Sequence, residues 1–372
     1  MKFSICRKLF KFAGCCLILL LLILPSLSLS VPFVDKETEI SMGQGADPQV
    51  IAQYGLYPDK SLQIYVNEIG QHLVSSLSNP EFDKYFFKVV DSPEINAFAL
   101  PGGYIYVTRG ILAVMNDEAE LAGVLGHEIG HVVNHHGAEA MVRAIGAQIL
   151  AIGGAIASPK NAGQWLAIST QLFSTINLGY GRDAELESDA HGLMNAYEAG
   201  YDPKSAINFF RTLRQQEIMS GQSYHSFQAT HPDTKIRIIK ADALADSINN
   251  RGNKVTHKNR ENFLKHIKGI TYGGKRHARD RRQYKPQYID IYTVKEGDTF
   301  TSIAKTELDD PKKDMDIAIL NGMRPEDKPE PGMLLKLVRE GKSEIRQMLD
   351  LRPLPSKKQE IAPENKFHYK FR

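Results

Sequence analysis

Residues 121–136 of the chain read LAGVLGHEIGHVVNHH, and this stretch decides how the rest of the sequence is interpreted. The preceding residues 116–118, Asn-Asp-Glu, supply a helix cap and first-turn acids. The sequence therefore predicts a helix that continues to about His136 and is ended by Gly137.

The spacing of two histidines within this helix predicts a metal site. His127 and His131 are four residues apart and so share one helical face, from which both imidazoles can reach one ion. A catalytic zinc site takes three protein ligands and leaves a fourth position for water. Glu128 lies one residue further round the helix, close to that water but poorly placed as a ligand. We therefore predict one Zn²⁺ per chain, with Glu128 as the general base that activates the zinc-bound water.

The same helix does not offer a clear third ligand. A metzincin would have glycine at position 134 and histidine at position 137, whereas this chain has Asn134 and Gly137. His135 and His136 fall on a different part of the helix surface from the first pair. Both are predicted to be bystanders.

A carboxylate from a later helix is the usual alternative for the third ligand. Glu185 is the candidate, because Glu185 and Asp189 are also four residues apart and share one face. Glu185 can bind the metal while Asp189 accepts a hydrogen bond from the outward nitrogen of a ligand histidine. Glu187 points elsewhere and is predicted to be an ordinary exposed acid.

The first thirty residues have the pattern of a secretory signal peptide. Four basic residues precede an apolar run from Ala13 to Leu24, and small residues at Ser28 and Ser30 fit a cleavage site after Ser30 or, as a second choice, after Ser28. The alternative is an uncleaved membrane anchor, although the run is shorter than the ~20 residues that span a bilayer. We predict export to a bacterial periplasm.

Removal of this segment changes the chemistry that is available. All three cysteines lie in it, so the mature chain has neither thiols nor disulfides and no cysteine-based zinc site or nucleophile. Loss of its four basic residues takes the formal net charge from +3 to −1. Basicity is therefore no argument for nucleic acid as a partner.

Residues 31–247 read as one mostly helical domain with few strands. Helical spacing covers 62–77, strand-like residues cover 85–90, and β-prone runs flank a Pro-Gly-Gly turn within 96–107, which predicts a β-hairpin. Further helices are expected from Arg182 and from residues 202–203. Between them, the apolar segment Met141–Ile176 is predicted to form a pair of helices that cover the core and gate the cleft.

Residues 248–290 are predicted to form a basic linker. Between Arg251 and Lys285 there are twelve Lys or Arg residues against two acids. Such a stretch is either a solvated tether or a surface attracted to anionic lipid or cell-wall polymer, which would allow peripheral membrane association. A second small domain is predicted at 291–339, followed by a disordered tail at 340–372.

Four elements, taken in order, resemble the M48 group of zinc metalloproteases, in particular its soluble bacterial branch. They are NAFALPGGYIYV at 96–107, HEIGH at 127–131, YGRDAELESD at 180–189, and the Thr-His-Pro of 230–232 followed by Arg237. The resemblance implies an α+β fold with a mostly helical, gluzincin-type metalloprotease domain and a small β-hairpin or sheet.

The resemblance also implies roles for individual residues. Glu185 is then the third metal ligand beside His127 and His131, with Asp189 as its partner. His231 approaches the metal and either stabilises the oxyanion or caps the zinc in a resting state, and Arg237 supports that region. Ser188 and Gly181 replace the usual alanine and serine of the family, small-for-small changes that leave the ligand set intact.

The C-terminal segment 291–339 resembles LysM modules. It opens with YTVKEGDTFTSIA at 292–304, contains Leu-Asn-Gly at 320–322 and closes with PGMLLKL at 331–337, a β-α-α-β pattern. LysM modules bind glycans that contain N-acetylglucosamine, so peptidoglycan is an implied partner. A packing domain that does not bind glycan is the alternative.

Three functions are compatible with these features. The first is a peptidase acting on polypeptide substrates of the envelope, including misfolded outer-membrane proteins. The second is a hydrolase of peptidoglycan peptides, and the third is a chaperone-like binder with a vestigial zinc site. An intact Glu128 argues against the third, and the extended edge of the hairpin favours protein substrates over wall peptides.

Overall fold

The computed structural model describes residues 34–143, 179–220, 230–231, 234–251, 254–274 and 286–343. The predicted signal peptide, nearly all of the apolar segment Met141–Ile176 and the chain beyond residue 343 lie outside these ranges. Within them the fold is α+β, as expected, with helices packed around two three-stranded sheets. No helix in the described ranges is long and apolar enough to cross a membrane.

The elements follow one another along the chain in two groups. The first group is α1 (Lys36–Tyr54), α2 (Lys60–Ser75), β1 (Phe86–Val90), β2 (Ala97–Leu100), β3 (Tyr104–Thr108), α3 (Arg109–Val114) and α4 (Glu118–Val133). The second is α5 (Arg182–Glu198), α6 (Pro203–Ser220), α7 (Thr234–Arg251), α8 (Arg260–Ile267), β4 (Thr271–Tyr272), β5 (Gln287–Thr293), α9 (Phe300–Leu308), α10 (Asp314–Leu320) and β6 (Leu334–Glu340).

The first sheet contains the predicted hairpin. Strand β2 pairs antiparallel with β3, which pairs in parallel with β1, so the strand order is β1-β3-β2. Gly102 and Gly103 in the turn have φ of +76° and +89°, values that residues other than glycine rarely adopt. The hairpin is thus confirmed, and β2 lies at one edge of this sheet.

Helix α4 carries the HEIGH motif through the centre of the domain. Asp117 caps it by accepting a hydrogen bond from the backbone N–H of Glu120, as predicted. The predicted C-terminal end is wrong: α4 ends at Val133, His135 adopts a left-handed φ of +57°, and helical structure resumes over residues 136–143. Gly137 therefore lies inside the next helical segment and does not terminate α4.

Two glycines let α4 and α5 approach closely. A Cβ at Gly192 would lie 2.6 Å from the backbone nitrogen of His127, and one at Gly126 would lie 2.9 Å from the carbonyl oxygen of Gly192. Any larger side chain at these positions would push the two helices apart. This contact brings Glu185 and Asp189 on α5 next to the histidines of α4.

The described part of the predicted basic linker is folded, so the tether interpretation is wrong there. Helix α8 buries Phe263, Leu264 and Ile267 in the same apolar cluster as Leu125 of α4. The basic side chains, such as Lys265, lie on the exposed face. The basic composition of the segment does not indicate this amphipathic helix, in which apolar residues recur on one face. Residues 275–285 are outside the described ranges.

The C-terminal domain has the predicted β-α-α-β order. Strands β5 and β6 pair antiparallel, and helices α9 and α10 lie between them in sequence. Strand β4, from the segment predicted as linker, adds to β5, so the sheet order is β4-β5-β6. The small domain therefore joins the peptidase-like domain through a shared core, which includes Ile289 and Leu320, without a free tether in the described residues.

Candidate metal centre

Four side chains from three places in the sequence converge in the interior. His127, His131, Glu185 and His231 each offer one ligand atom, and these atoms lie within 4.8 Å of one another, in residues that are all buried. Nε2 of His127 is 3.0 Å from Nε2 of His131 and 3.2 Å from Nδ1 of His231, and Nε2 of His131 is 3.5 Å from a Glu185 oxygen.

These separations suit a tetrahedral zinc ion. Nitrogen and oxygen ligands at about 2.0–2.2 Å from zinc lie roughly 3.3–3.5 Å from one another in a tetrahedron. The converging nitrogen and carboxylate lone pairs also need a shared cation or protons between them. The donor set therefore fits Zn²⁺, with imidazole and carboxylate ligands and without thiolate.

Glu128 lies beside this group, with Nε2 of His231 3.4 Å from its Oε1. The side chain is fully buried, and neither carboxylate oxygen makes a hydrogen bond within the described part of the chain. Burial raises the pKa of this carboxyl group. A buried carboxylate normally has hydrogen-bond donors, so this one is suited to accept a proton or hydrogen bond from a molecule that enters the site.

Asp189 stands behind His127, where the sequence predicts it. Its Oδ1 is 3.0 Å from Nδ1 of His127, the nitrogen that faces away from the cluster. Arg237 donates two hydrogen bonds to the Asp189 carboxylate, at 2.7 and 2.6 Å. Burial disfavours the Asp189 charge, but the contacts to Arg237 and His127 prevail and lower its pKa to about 2. The carboxylate is thus ionised and can orient the His127 ring.

Arg237 also joins the third predicted ligand. Its Nη1 lies 2.5 Å from Oε2 of Glu185, and the guanidinium is buried. Burial opposes ionisation of Glu185, but the surrounding histidines hold its pKa far below the usual range. One arginine therefore connects the predicted ligand carboxylate with the carboxylate behind the ligand histidine, which agrees with the supporting position implied by the resemblance.

His231 closes the cluster from the side of the first sheet. Its Nδ1 is 3.2 Å from Oε1 of Glu185, and its Nε2 is 3.3 Å from the carbonyl oxygen of Ala97 on the edge strand β2. The neighbouring Thr230 donates a hydrogen bond to the side chain of Asn96, at 3.1 Å. In this arrangement Thr230 and His231 occupy part of the strand edge that the sequence offers to a substrate.

His136 lies outside the four converging groups, but it contacts one of them. Nδ1 of His136 is 3.0 Å from Nδ1 of His131, and its Nε2 is 3.3 Å from a carboxylate oxygen of Glu187. The left-handed turn at His135 breaks the helical phase and returns the next residue to the back of His131. His135 itself faces Glu39, at 2.6 Å. Glu187 is exposed, as predicted, but has this partner.

Tyr180 is a second residue that sequence reasoning passed over. Its ring stacks on the imidazole of His131, with 4.0 Å between ring centroids and 22° between ring planes, and it is buried. The tyrosine opens the YGRDAELESD motif, but nothing in its spacing relates it to a ligand on another helix. The stacked ring limits the rotation of His131.

Comparisons with known proteins decide the family. A model of peptidase family M48 matches residues 60–245, which is half of the chain. The chain belongs to peptidase family M48. The LysM domain model matches residues 292–338, so both resemblances noted in the sequence are confirmed. Zinc is the usual ion of this family, and the buried His-His-Glu-His group of this chain could bind such an ion.

The curated relatives are peptidases from mitochondria and bacteria. The mitochondrial metalloendopeptidase OMA1 of Schizosaccharomyces pombe is 33% identical over 217 residues, 56% of this chain and 61% of that protein. The putative beta-barrel assembly-enhancing protease of Vibrio cholerae is 35% identical over 189 residues, 48% of this chain and 38% of the relative. The beta-barrel assembly-enhancing protease of Escherichia coli K12 is 30% identical over 223 residues, 56% and 44% of the two chains. This M48 chain thus spans about 38–61% of the length of these relatives.

Proposed function

We propose that this M48 chain is an exported zinc-dependent metalloendopeptidase that hydrolyses peptide bonds of envelope proteins, including misfolded outer-membrane polypeptides. The observation that carries the peptidase activity is the buried Glu128 carboxylate, which has no hydrogen-bond partner in the described residues and lies beside four converging metal-binding groups. A carboxylate in this position beside a metal site can act as the base that accepts a proton from the attacking water.

The residues divide the work as follows. His127, His131 and Glu185 hold the zinc, and Asp189 fixes the ring of His127. Zinc, when bound, supplies a Lewis acid that polarises the scissile carbonyl and lowers the pKa of water. Glu128 accepts the proton of the attacking water and delivers it to the leaving amine.

His231 has two proposed roles that belong to different conformations. In the described arrangement its ring fills the space between His127, Glu185 and Glu128, with contacts of 3.2 to 3.4 Å. If zinc were bound, His231 could serve as a further ligand, which supports the capped resting state. Once its ring has moved out of this space, the same imidazole can donate a hydrogen bond to the developing oxyanion. Arg237 keeps Glu185 and Asp189 in place in both states.

Three features support envelope proteins as the substrates. The predicted signal peptide directs the chain to the periplasm, two of the bacterial relatives are named for β-barrel assembly, and the LysM domain is a candidate for binding peptidoglycan through residues 291–339. The basic residues near the C-terminal domain add a weaker attraction to anionic membrane surfaces. None of these features calls for nucleic acid.

Hydrolysis of peptidoglycan peptides is the second candidate, and the LysM match favours it. The edge strand β2 favours protein substrates instead, because an extended polypeptide can add to a free strand edge by backbone hydrogen bonds. The vestigial-site alternative is disfavoured because Glu128 and the whole predicted ligand set lie together.

Zinc analysis and two substrates test the proposal. The wild type and Glu128→Gln should each contain about one zinc per chain, since glutamine removes the base but no ligand. Only the wild type should cleave unfolded casein, with the variant slower by about 10²–10⁴-fold. Cleavage of purified peptidoglycan peptides but not of casein would favour the second candidate. Equal casein cleavage by both proteins would contradict Glu128 as the base, and zinc-free Glu128→Gln would make it a ligand.

A further inference from the structure

A buried lysine of the C-terminal domain caps a helix of the peptidase domain. Lys336 lies on β6 and is fully buried. Its ammonium donates hydrogen bonds to the carbonyl oxygens of Ala113, Val114 and Met115 at the end of α3, at 3.2, 2.9 and 2.6 Å. The last carbonyls of a helix have no partners within the helix, and a protonated lysine has three donors. All three donors of Lys336 are used in this way.

The backbone of Lys336 is also held in place. Its N–H donates to the side-chain oxygen of Asn321, at 2.8 Å, and the Asn321 amide donates to the Lys336 carbonyl, at 3.0 Å. Arg260 on α8 donates to the same Asn321 oxygen, at 3.3 Å, and to the carbonyl of Asn116, at 2.8 Å. Asn116 directly precedes Asp117, the cap of α4. One hydrogen-bond network therefore reaches from the C-terminal domain to the start of the metal-binding helix.

The first turn of α4 is fixed by residues beyond the M48 match. The backbone N–H of Glu118 donates to the carbonyl of Lys258, at 3.0 Å. The buried Glu118 carboxylate accepts hydrogen bonds from Tyr65, Tyr201, Asn259 and Asn262, at 2.8, 3.1, 2.8 and 2.8 Å. Two of these four donors come from residues 259–262, so the helix start depends on the chain after residue 245.

The junction gathers two acids and two bases. Asp117 and Glu120 at the start of α4 lie near Arg260 and Lys336, and all but Arg260 are buried. Burial lowers the pKa of Lys336 and raises that of Glu120, while the attraction between the two groups opposes both shifts. Removing one partner of such a set leaves an uncompensated charge in the interior, which is strongly unfavourable. The junction therefore resists opening and behaves as part of the core, unlike a surface contact between independent domains.

We propose that the C-terminal domain positions the metal-binding helix and that Lys336 is a positioning residue for peptide hydrolysis. His127 and Glu128 lie in the same unbroken helix as Glu118 and Glu120. If the first turn tilts, the Glu128 carboxylate is therefore displaced as well. A displacement of about 1 Å at a reacting group can lower the rate by roughly 10²-fold. The LysM domain, a candidate glycan-binding module, thus also holds the metal-binding helix in position for peptide hydrolysis.

The test is the substitution Lys336→Met, which keeps the apolar stem and removes the three donors. Full-length protein should keep its zinc and its KM for casein, while kcat falls by about tenfold or more. Amide hydrogens in the first two turns of α4 should exchange with solvent at least about tenfold faster, because local opening has become easier.

Two control variants separate positioning from general destabilisation. Lys305→Met removes an exposed lysine of the same domain and should change neither kcat nor amide exchange. Ile303→Ala opens a cavity in the core of the same domain, on α9, so it should lower the unfolding temperature yet leave kcat unchanged below that temperature. A kcat loss in Ile303→Ala equal to that in Lys336→Met would overturn the proposal.

A milder variant keeps the test decisive if Lys336→Met does not fold. Arg260→Lys retains the charge but cannot donate to Asn116 and Asn321 together. It should lower kcat with zinc bound, and an unchanged kcat in either folded variant would overturn the proposal. The kinetic arm rests on the proposed peptidase activity. If the wild type cleaves no substrate, the proposed peptidase activity is contradicted. Amide exchange then tests the positioning role by itself. Unchanged exchange in α4 of Lys336→Met would overturn that role.

Discussion

The Nε2 atom of His231 lies 3.4 Å from Oε1 of Glu128, while Nδ1 of the same ring lies 3.2 Å from Nε2 of His127. One imidazole thus stands between the proposed base and a proposed ligand. The attacking water and the scissile carbonyl need this space. In the proposed mechanism the ring therefore leaves this space before a peptide bond is cleaved.

The capping role predicts that His231→Ala accelerates cleavage of a short peptide, because the substitution removes the group that fills the site. If the open state is about a tenth of the population in the wild type, the gain is up to about tenfold. Thr230→Ala, which removes the hydrogen bond to Asn96, should give a smaller increase. Initial rates with zinc-loaded proteins measure this. A large fall in rate for His231→Ala would instead assign the ring to oxyanion stabilisation.

Glu185→Ala should lose zinc, because a third ligand is removed and the positive charge of Arg237 is left beside the two histidines. Glu187→Ala should remain fully zinc-loaded, since Glu187 is exposed and touches the centre only through His136. Metal content after exhaustive dialysis distinguishes them. The reverse result, with zinc retained in Glu185→Ala and lost in Glu187→Ala, would exchange the two assignments.

His136→Phe should weaken zinc binding by about 10- to 100-fold, the usual effect of losing a hydrogen bond that orients a ligand histidine. The phenylalanine ring fills a similar volume but cannot pair with Nδ1 of His131. Competition with a chelator gives the affinity. His191→Phe is the matched control, because no contact of that ring with the four ligands is present in the described residues. Equal affinities for the two variants would return His136 to the status of a bystander.

Gly192→Ala should destabilise the fold by about 1–3 kcal/mol and reduce activity, because overpacking separates α4 from α5. The added Cβ would lie 2.6 Å from the backbone of His127, which cannot yield without moving the ligand. Gly181→Ala is the matched control, since nothing lies within 4 Å of its Cβ position. Denaturant unfolding of both proteins is the measurement. Equal stability of Gly192→Ala and the wild type would show that the helices can separate without cost.

Truncation after Ser247 should yield an insoluble or inactive protein, although it retains every proposed ligand. It removes the carbonyl of Lys258, two donors to Glu118, and the buried Phe263, Leu264 and Ile267. Truncation after Ser343 keeps all of these groups and should retain zinc and cleavage. Solubility, zinc content and casein cleavage of the two proteins are compared. An active protein that ends at Ser247 would show that residues 31–247 are an independent domain, as the sequence alone suggests.

Local patterns predicted the parts of the site that depend on short spacings. The i to i+4 repeat placed His127 with His131 and Glu185 with Asp189, and the Pro-Gly-Gly turn placed the hairpin, because each depends on backbone geometry within a few residues. The break after Val133 was not predictable in the same way. His135 has a left-handed backbone conformation, which interrupts the regular helical spacing. As a result, His136 lies next to Nδ1 of His131 and not on the separate part of the surface that continuous helical spacing predicts.

Contacts between distant segments were the least accessible to sequence reasoning. The charge run of 251–285 hid three buried apolar residues of α8, since a basic amphipathic helix and a basic tether have nearly the same composition. Likewise, nothing near Lys336 in the sequence indicates that a lysine ends in the interior against α3. Its acceptors are backbone carbonyls. Every residue has one, so no pattern of side chains indicates where these acceptors lie.

The position of Lys336 has a consequence for the order in which a newly made chain becomes competent. The HEIGH helix is synthesised well before the groups that hold its first turn, which come from residues 258–262 and from β6. A chain still emerging from the ribosome lacks these groups until β6 has been made. The proposed peptidase centre would therefore gain its final shape only after β6 has been synthesised, which separates the making of the metal-binding helix from the onset of cleavage.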